Sequence, residues 1–395
     1  MALVLIRRTF PPTAAPLSLR EILEGLHGWF SEARAEEKLK NELCDYFGVP
    51  NCWLLSSGKA ALTLILKAIH SLSPEKKSVL IPAYTCYSVA SSVVKAGLSV
   101  SLCDIDPKTL DFDYSLLESQ LTGNTLCLVI NHLLGRPADL DRCLSLVRAK
   151  GILVVEDAAQ AMGIGCQGQA AGTGGDVGFF SLGRGKVICA VEGGIIVTRN
   201  PDLAAALQKE YRRLPPYTRK EKIILLARAI ALVCFLHPFI YWLPDHLPFL
   251  KLGRTEFSTG FSLKRMSGFQ CGLMRRWKRK MIRLNQARLE RTKVYHRLLG
   301  QRSIVADPPP LLRFPLIVED PKRRERIYRQ ARYKGLGISR MYPDSIDGIE
   351  QLDGQVLKGS YPAARKLAQT LLTLPTHPLI SLKDQERIMR LLSSQ

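Results

Sequence analysis

The sequence predicts an α/β fold, with a large domain built on a mainly parallel sheet and a small α/β domain at the C-terminus. Three observations carry this expectation. Between Ala35 and about Thr198, strand-like apolar runs alternate with helical stretches, the pattern of strands joined by helices that cover both faces of a sheet. The run Ile152-Leu-Val-Val-Glu-Asp157 is a buried-strand pattern ending in an acid, and ligands of open α/β sheets collect at such carboxyl ends. The 395 residues exceed one ordinary domain of about 100–200 residues, and 46% hydrophobic content suffices for a sizeable core.

Residues 1–34, with Phe10-Pro-Pro-Thr13 and Leu17-Ser-Leu-Arg20, read as an N-terminal arm and a short helix. The opening Met-Ala-Leu-Val-Leu-Ile-Arg-Arg places its basic residues after a very short apolar stretch, the reverse of a secretory signal. Residues 35–210 form the large domain. Its strands are expected at Trp53–Leu55, Ser78–Ile81, Ser99–Cys103, Thr125–Ile130, Gly151–Val155, Val177–Phe180 and Gly194–Thr198, with helices over Ala60–Ile69 and from Pro201.

Residues 211–274 read as an apolar and basic insertion. The run from Ile223 to Leu250 fails as a transmembrane span, because about 18–20 uninterrupted apolar residues are needed and Arg228, Pro238, Pro244, Asp245 and Pro248 interrupt it. It either lies in a membrane interface, where Tyr241 and Trp242 would be at home, or packs against the core or a dimer partner. Residues 275–395 make a basic helix and the small domain. From Arg275 to Arg297 the only acid is Glu290, and Trp277, Met281, Leu284 and Leu289 form an apolar stripe beneath the charge. A strand is expected at Arg313–Val318, with helices over Arg323–Lys334 and Tyr361–Leu372.

Formal net charge is +21, a field that attracts nucleic acid, anionic lipid or a polyanionic small substrate. Its concentration beside the apolar run directs the expectation to an anionic membrane surface contacted through residues 223–297, and no nucleic-acid partner is expected. The ten cysteines include no C-x-x-C pair and mostly sit in apolar runs, where a thiol acts as a small buried hydrophobe. Neither structural zinc nor a disulfide framework is expected, and a reducing cytoplasm fits best, with membrane association as an addition.

Three stations carry chemistry. Gly178-Phe-Phe-Ser-Leu-Gly-Arg-Gly-Lys186 sets a lysine in a glycine-rich turn after a strand, where its amine can form a Schiff base with an aldehyde cofactor; alone, it would read as a solvated surface lysine. Asp157 stands where its strand gives way to a loop. In Cys52-Trp-Leu-Leu-Ser-Ser-Gly-Lys-Ala-Ala61, a strand passes through Ser56, Ser57 and Gly58 into a helix whose free N–H groups and dipole favour an anion. An amine, a carboxylate and a phosphate cradle are what pyridoxal 5'-phosphate (PLP) requires.

With these motifs the chain resembles the DegT/StrS-type sugar aminotransferases, PLP enzymes of fold type I, the aspartate aminotransferase-like fold. The matching stretches are Ser56–Leu62, Ile81–Cys86, Asp104–Pro107, Gly135–Asp139, Glu156–Ala161, Gly172–Ser181, Lys186, Glu192–Gly194, Tyr342-Pro343 and Leu374–Pro378. The resemblance makes residues 35–210 a PLP-binding domain and implies these roles: Lys186 as Schiff-base lysine and proton shuttle, Asp157 as partner of the pyridine nitrogen, Ser57, Gly58 and Ser181 at the phosphate, and Gln160 beside the ring's phenolic oxygen. Gln160 can also be read as a bland surface amide.

Three positions depart from the family pattern. Lys59 stands where relatives carry threonine, adding charge to the phosphate site or pointing to solvent. Cys86 replaces an aromatic residue that stacks on the cofactor ring, leaving Tyr84 or Tyr87 for that task, or no stacking. An asparagine that reaches the neighbouring subunit's phosphate just before an Arg-Met pair is missing around Ser262, Leu263, Lys264, Arg265 and Met266.

The resemblance implies a homodimeric transaminase that moves an amino group, from glutamate, onto a nucleotide-linked keto-sugar in polysaccharide or glycoconjugate biosynthesis. A PLP-dependent sugar dehydratase is the neighbouring reading, and retained Lys186 argues against it, since dehydratase relatives carry histidine there. From a different class comes a peripheral membrane scaffold of a polysaccharide-assembly complex with a vestigial PLP site.

Overall fold

The computed structural model describes residues 8–247, 255–300, 303–305, 307–356 and 359–394. The opening apolar segment 1–7 and residues 248–250 of the insertion lie outside the described residues.

Seven strands form the central sheet: β1 (Asn51–Leu55), β2 (Ser78–Pro82), β3 (Ser99–Cys103), β4 (Thr125–Asn131), β5 (Leu153–Asp157), β6 (Val177–Ser181) and β7 (Gly194–Thr198). Their order is β1-β7-β6-β5-β4-β2-β3. Strand β7 runs antiparallel to both β1 and β6, and the other neighbours are parallel. Side chains alternate between the faces of a strand. Leu128, Ile130, Val154 and Phe180 therefore enter one core, while Val129, Val155, Phe179 and Ile196 enter the other.

Helices cover both cores, as a parallel sheet demands. Gly58–Leu72, Tyr87–Lys95 and Pro201–Arg212 lie over the second core. Glu32–Phe47, Leu140–Val147, Gly268–Leu273 and Trp277–Leu299 lie over the first. Helices Glu32–Phe47 and Pro201–Arg212 run unbroken through the positions at which the arm and the insertion were divided from the large domain.

The small domain pairs strands β8 (Arg313–Ile317) and β9 (Leu371–Pro375) antiparallel, with Pro321–Tyr333, Pro362–Thr370 and Leu382–Ser393 packed around a third core. The helix expected to reach Leu372 stops at Thr370, and β9 follows at once. Tertiary pairing decides this: β9 is buried along its whole length against β8, and buried Arg324 takes the Ala368 and Leu371 carbonyls at 2.9 and 3.2 Å.

Helix Arg219–Phe235 opens on a capping box between Thr218 and Glu221, which satisfies the first backbone donors. Only Leu225 and Ala229 on it are buried, while Ile223 and Ile224 remain 53% and 49% exposed. Burial in the chain's own core therefore does not account for this helix. The basic helix does the opposite: Trp277, Met281 and Leu284 are buried, and Trp277 stacks on Phe47 at 6.4 Å. These three belong to the core, whereas Leu289 is half-buried and Ile282 stays 53% exposed among the outward charges.

Thr9, Phe10 and Pro11 of the arm are buried too. Phe10 donates its N–H to Gly335 O at 2.9 Å, and Pro11 O accepts from His377 Nε2 at 2.8 Å. A carbonyl only accepts, so Nε2 carries the proton of a neutral imidazole. Burial, which outweighs the Pro11 hydrogen bond, lowers the His377 pKa to about 3. With the folded value below the unfolded one near 6.5, the unfolded chain takes up the proton first, so stability present above pH 6.5 is lost as pH falls toward about 3. The melting temperature of the wild type is expected to fall more steeply between pH 7 and about pH 4 than that of His377→Gln. Equal slopes would count against this assignment.

Candidate active site

The turn from β1 into helix Gly58–Leu72 builds the first wall. Ser57 is extended, and its Oγ caps the helix by accepting from Ala60 N at 3.1 Å. The N–H groups of Gly58 and Lys59 precede any acceptor within the helix and stay available to an anion. A Cβ on Gly58 would lie 2.8 Å from the Ser181 Cβ, and one on Gly194 would lie 2.3 Å from Ser57 O. Ser57, Gly58 and Ser181, distant in sequence, thus line one tight cradle at the ends of β1, β6 and β7. Lys59 is half-buried, with its ammonium 4.5 Å from the Phe261 ring centroid, and burial lowers its pKa.

Strand register places the carboxylate. Asn131, Asp157 and Phe179 are side by side at the carboxyl ends of β4, β5 and β6. Asn131 Nδ2 donates to Asp157 Oδ2 at 2.7 Å, and Ala159 N donates to Oδ1 at 3.0 Å. Burial pushes the Asp157 carboxyl up, while the nearby Lys186 ammonium and these donors pull it back. The Asn131 Oδ1 atom is buried without a partner.

Glu156 points to the opposite face and stabilises the frame. It accepts from His132 Nε2 at 2.9 Å and from the N–H groups of Gly172, Gly174 and Gly175 at 2.7, 2.6 and 2.5 Å. Burial alone would raise its pKa, but the His132 hydrogen bond and the loop N–H groups outweigh it, so the carboxyl titrates below its ordinary value. His132 Nδ1 accepts from Ala138 N at 3.1 Å, which fixes the tautomer. Sequence reasoning missed both Asn131 and His132; their one signal was position, directly after the apolar run of β4.

Gln160 is no surface amide. It is buried, accepts from Leu134 N at 3.2 Å, and donates to the Tyr342 hydroxyl at 3.1 Å. Tyr84 packs on Tyr342 with ring centroids 5.4 Å apart, and Tyr87 stacks on the same ring at 6.4 Å. The Tyr87 hydroxyl also accepts from Asp344 N at 3.0 Å. The aromatic cluster therefore gathers around Tyr342, and Cys86 occupies the N-cap position of helix Tyr87–Lys95 without a side-chain cap bond.

Lys186 is partly exposed, on a turn closed by its own N–H to Gly183 O at 3.2 Å. Gly185 has φ +74°, and a Cβ there would lie 2.3 Å from Thr13 Oγ1, so the turn needs glycine on two counts. Thr13 Oγ1 donates to Gly185 O at 3.1 Å. From the basic helix, buried Arg288 donates through Nη2 to Val187 O at 2.9 Å and to Lys186 O at 3.4 Å. Nothing in the sequence separates Arg288 from the solvated arginines around it.

Ser262 and Lys264 stand beside the position of the missing asparagine. Ser262 O accepts from Ser56 Oγ at 3.1 Å, and Lys264 Nζ is held by Glu221 at 2.7 Å. Both are engaged within the chain. An amine on a glycine turn, a buried carboxylate oriented by an amide, and a helix N-terminus whose cradle a single Cβ would fill together suit PLP: Lys186 would serve its aldehyde, Asp157 its ring nitrogen, and Ser57, Gly58 and Ser181 its phosphate.

Known proteins agree with this architecture. GDP-perosamine synthase of Caulobacter vibrioides is 35% identical over 181 residues, which are 46% of this chain and 48% of that one. L-glutamine:2-deoxy-scyllo-inosose aminotransferase of Streptomyces kanamyceticus is 36% identical over 174 residues, 44% of this chain and 40% of the relative. The chain thus matches at most about half the length of these relatives. The structure of Helicobacter pylori PseC, an aminotransferase involved in the biosynthesis of pseudoaminic acid, superposes with a TM-score of 0.79 at 16% identity, covering 98% of each chain. That likeness shows a shared fold, type I of the PLP-dependent transferases. The profile of the DegT/DnrJ/EryC1/StrS aminotransferase family matches residues 17–393, and the chain belongs to that family.

Proposed function

We propose that this protein is a PLP-dependent aminotransferase that moves an amino group from glutamate onto a keto-sugar carried by a nucleotide diphosphate, in polysaccharide or glycoconjugate biosynthesis. The observation that carries this reading is the buried Asp157 carboxylate at the carboxyl end of β5, oriented by Asn131 Nδ2 at 2.7 Å and drawn down by the Lys186 ammonium. When bound, PLP supplies an aldehyde for amine capture and a ring that accepts electrons. Lys186 holds and moves a proton at its Nζ. Asp157, oriented by Asn131, keeps a cationic ring nitrogen protonated, and that cation in turn favours the ionised carboxylate. The Gly58 and Lys59 N–H groups bind phosphate, and Lys59 adds positive charge nearby.

A nucleotide-linked substrate is supported by the names of relatives, among them GDP-perosamine synthase and GDP-4-keto-6-deoxy-D-mannose 3-dehydratase of Yersinia pseudotuberculosis. The retained lysine favours amination over dehydration. The scaffold reading has no support, because the amine, the carboxylate and the phosphate cradle are all retained. The test is a panel of nucleotide keto-sugars incubated with glutamate and the PLP-loaded protein, reading amino-sugar and 2-oxoglutarate formation. Stoichiometric appearance of both supports the proposal; no consumption of any keto-sugar by a loaded protein would sink it.

A homodimer is part of this reading. Helices Leu19–Phe30 and Arg219–Phe235 pack together and expose Leu19, Leu23, Phe30, Ile223 and Ile224, an apolar face of the kind that marks an interface. Peripheral contact with anionic membrane through 223–297 is the competing use of that region, favoured by exposed Phe239, Ile240 and Leu243 and by the outward charge of the basic helix. No helix among the described residues is long and apolar enough to cross a membrane. Salt-sensitive cosedimentation with anionic liposomes is expected if the membrane contact holds, and indifference to lipid together with a dimeric mass assigns the face to the second subunit.

A further inference from the structure

Three successive carbonyls of the Lys186 turn are held from outside it. Thr13 Oγ1 donates to Gly185 O at 3.1 Å, and Arg288 Nη2 donates to Val187 O at 2.9 Å and to Lys186 O at 3.4 Å. The same nitrogen reaches Ala14 O at 3.5 Å, so one guanidinium ties the arm and the turn to helix Trp277–Leu299. Its Nη1 donates to Asn285 Oδ1 at 3.1 Å, and Asn285 Nδ2 donates to Met162 O at 3.0 Å, which anchors the fork to the loop after β5. Arg288 is 1% exposed, no carboxylate among the described residues pairs with it, and its Nε is buried without a partner. Burial lowers its pKa to about 9, which still leaves it cationic at neutral pH. A buried charge without a counter-ion costs stability that an apolar side chain of similar volume would not, so stability alone does not favour an arginine here.

We propose that Arg288, together with Thr13, is a positioning residue that locks the backbone of the Lys186 turn and so aims Nζ at the cofactor aldehyde. This rests on the aminotransferase reading, in which Lys186 captures PLP. Capture joins Nζ to the aldehyde carbon as a C=N bond, and the aldehyde oxygen leaves as water with the two hydrogens of the neutral amine. The Lys186 side chain is long and partly exposed, so its aim is set from the backbone end. A displacement of about 1 Å at a reacting group can cost about 100-fold in rate. Asp157 and the Ser57–Gly58 cradle stand on other elements, which the clamp does not touch.

The test compares wild type, Arg288→Met, Arg288→Lys and Thr13→Val, each first freed of cofactor. PLP is one probe, its capture followed over time by borohydride reduction and peptide mapping. Pyridoxine 5'-phosphate is the other: it carries an alcohol in place of the aldehyde and reports the phosphate and ring contacts alone. Capture on Lys186 is expected to slow about 10- to 100-fold in Arg288→Met and less in Thr13→Val, with the affinity for pyridoxine 5'-phosphate unchanged in both. Arg288→Lys, which keeps the charge and a donor, should recover most of the rate. Capture at the wild-type rate in Arg288→Met overturns the proposal. An equal loss of capture and of pyridoxine 5'-phosphate affinity also overturns it, since a general loosening of the structure moves both. Should Arg288→Met fail to fold, Thr13→Val decides by the same contrast. A wild type that captures PLP on Lys186 and transfers no amino group defeats the aminotransferase reading, and the capture rates still judge the clamp; capture on another residue defeats both.

Discussion

Lys186→Ala is expected to abolish amino transfer while leaving the fold intact. General acid/base action alone contributes about 10²- to 10⁴-fold, and loss of covalent capture adds to that, so turnover should drop below detection. The fold should hold because the turn is shaped by backbone contacts: Gly185 at positive φ, Thr13 on the Gly185 carbonyl, and Arg288 on the carbonyls of Lys186 and Val187. A partly exposed side chain outside these contacts changes stability by about 0.5 kcal/mol or less when truncated. Borohydride reduction followed by peptide mapping should find the cofactor on the peptide containing Lys186 in the wild type and nowhere in the variant. Transamination retained by Lys186→Ala would refute the assignment.

Asp157→Asn should cost about 10²- to 10³-fold in kcat, the scale of losing one preorganised electrostatic group. Two donors, Asn131 Nδ2 and Ala159 N, address the two carboxylate oxygens. An amide at this position turns its own donor toward one of them, a mismatch costing about 1–3 kcal/mol, partly offset by no longer burying a charge. The measurements separate these effects: melting temperature reads the mismatch, and kcat at saturating cofactor reads the chemistry. Near-normal kcat in the saturated variant would remove Asp157 from the mechanism.

Much of this site was legible because its parts lie at element boundaries with local signals. A serine and a glycine before a helical run, an acid ending a buried strand, and a lysine after a glycine pair declare themselves through turn and capping preferences. The supporting residues carry no such signal. His132 and Glu156 meet only when β4 and β5 pair, and Arg288 resembles the solvated arginines beside it until its helix docks on the Lys186 loop. Leu371 and Leu372, the first two residues of β9, read as the end of a helix because their sequence suits either state, and only pairing with β8 decides.

The sequence by itself determined the class of fold, the order of the strands along the chain and the three groups proposed to hold the cofactor, since apolar period and turn chemistry act over a few residues. Tertiary structure alone decided which apolar stripes are core. It buried Trp277, Met281 and Leu284 and left Ile223 and Ile224 outside, although both segments are apolar with basic neighbours. It also brought Tyr342 of the small domain onto Gln160 of the large one, a contact set by how the small-domain sheet and its loops dock. Burial and long-range charge are properties of that docking, and no local run of residues encodes them.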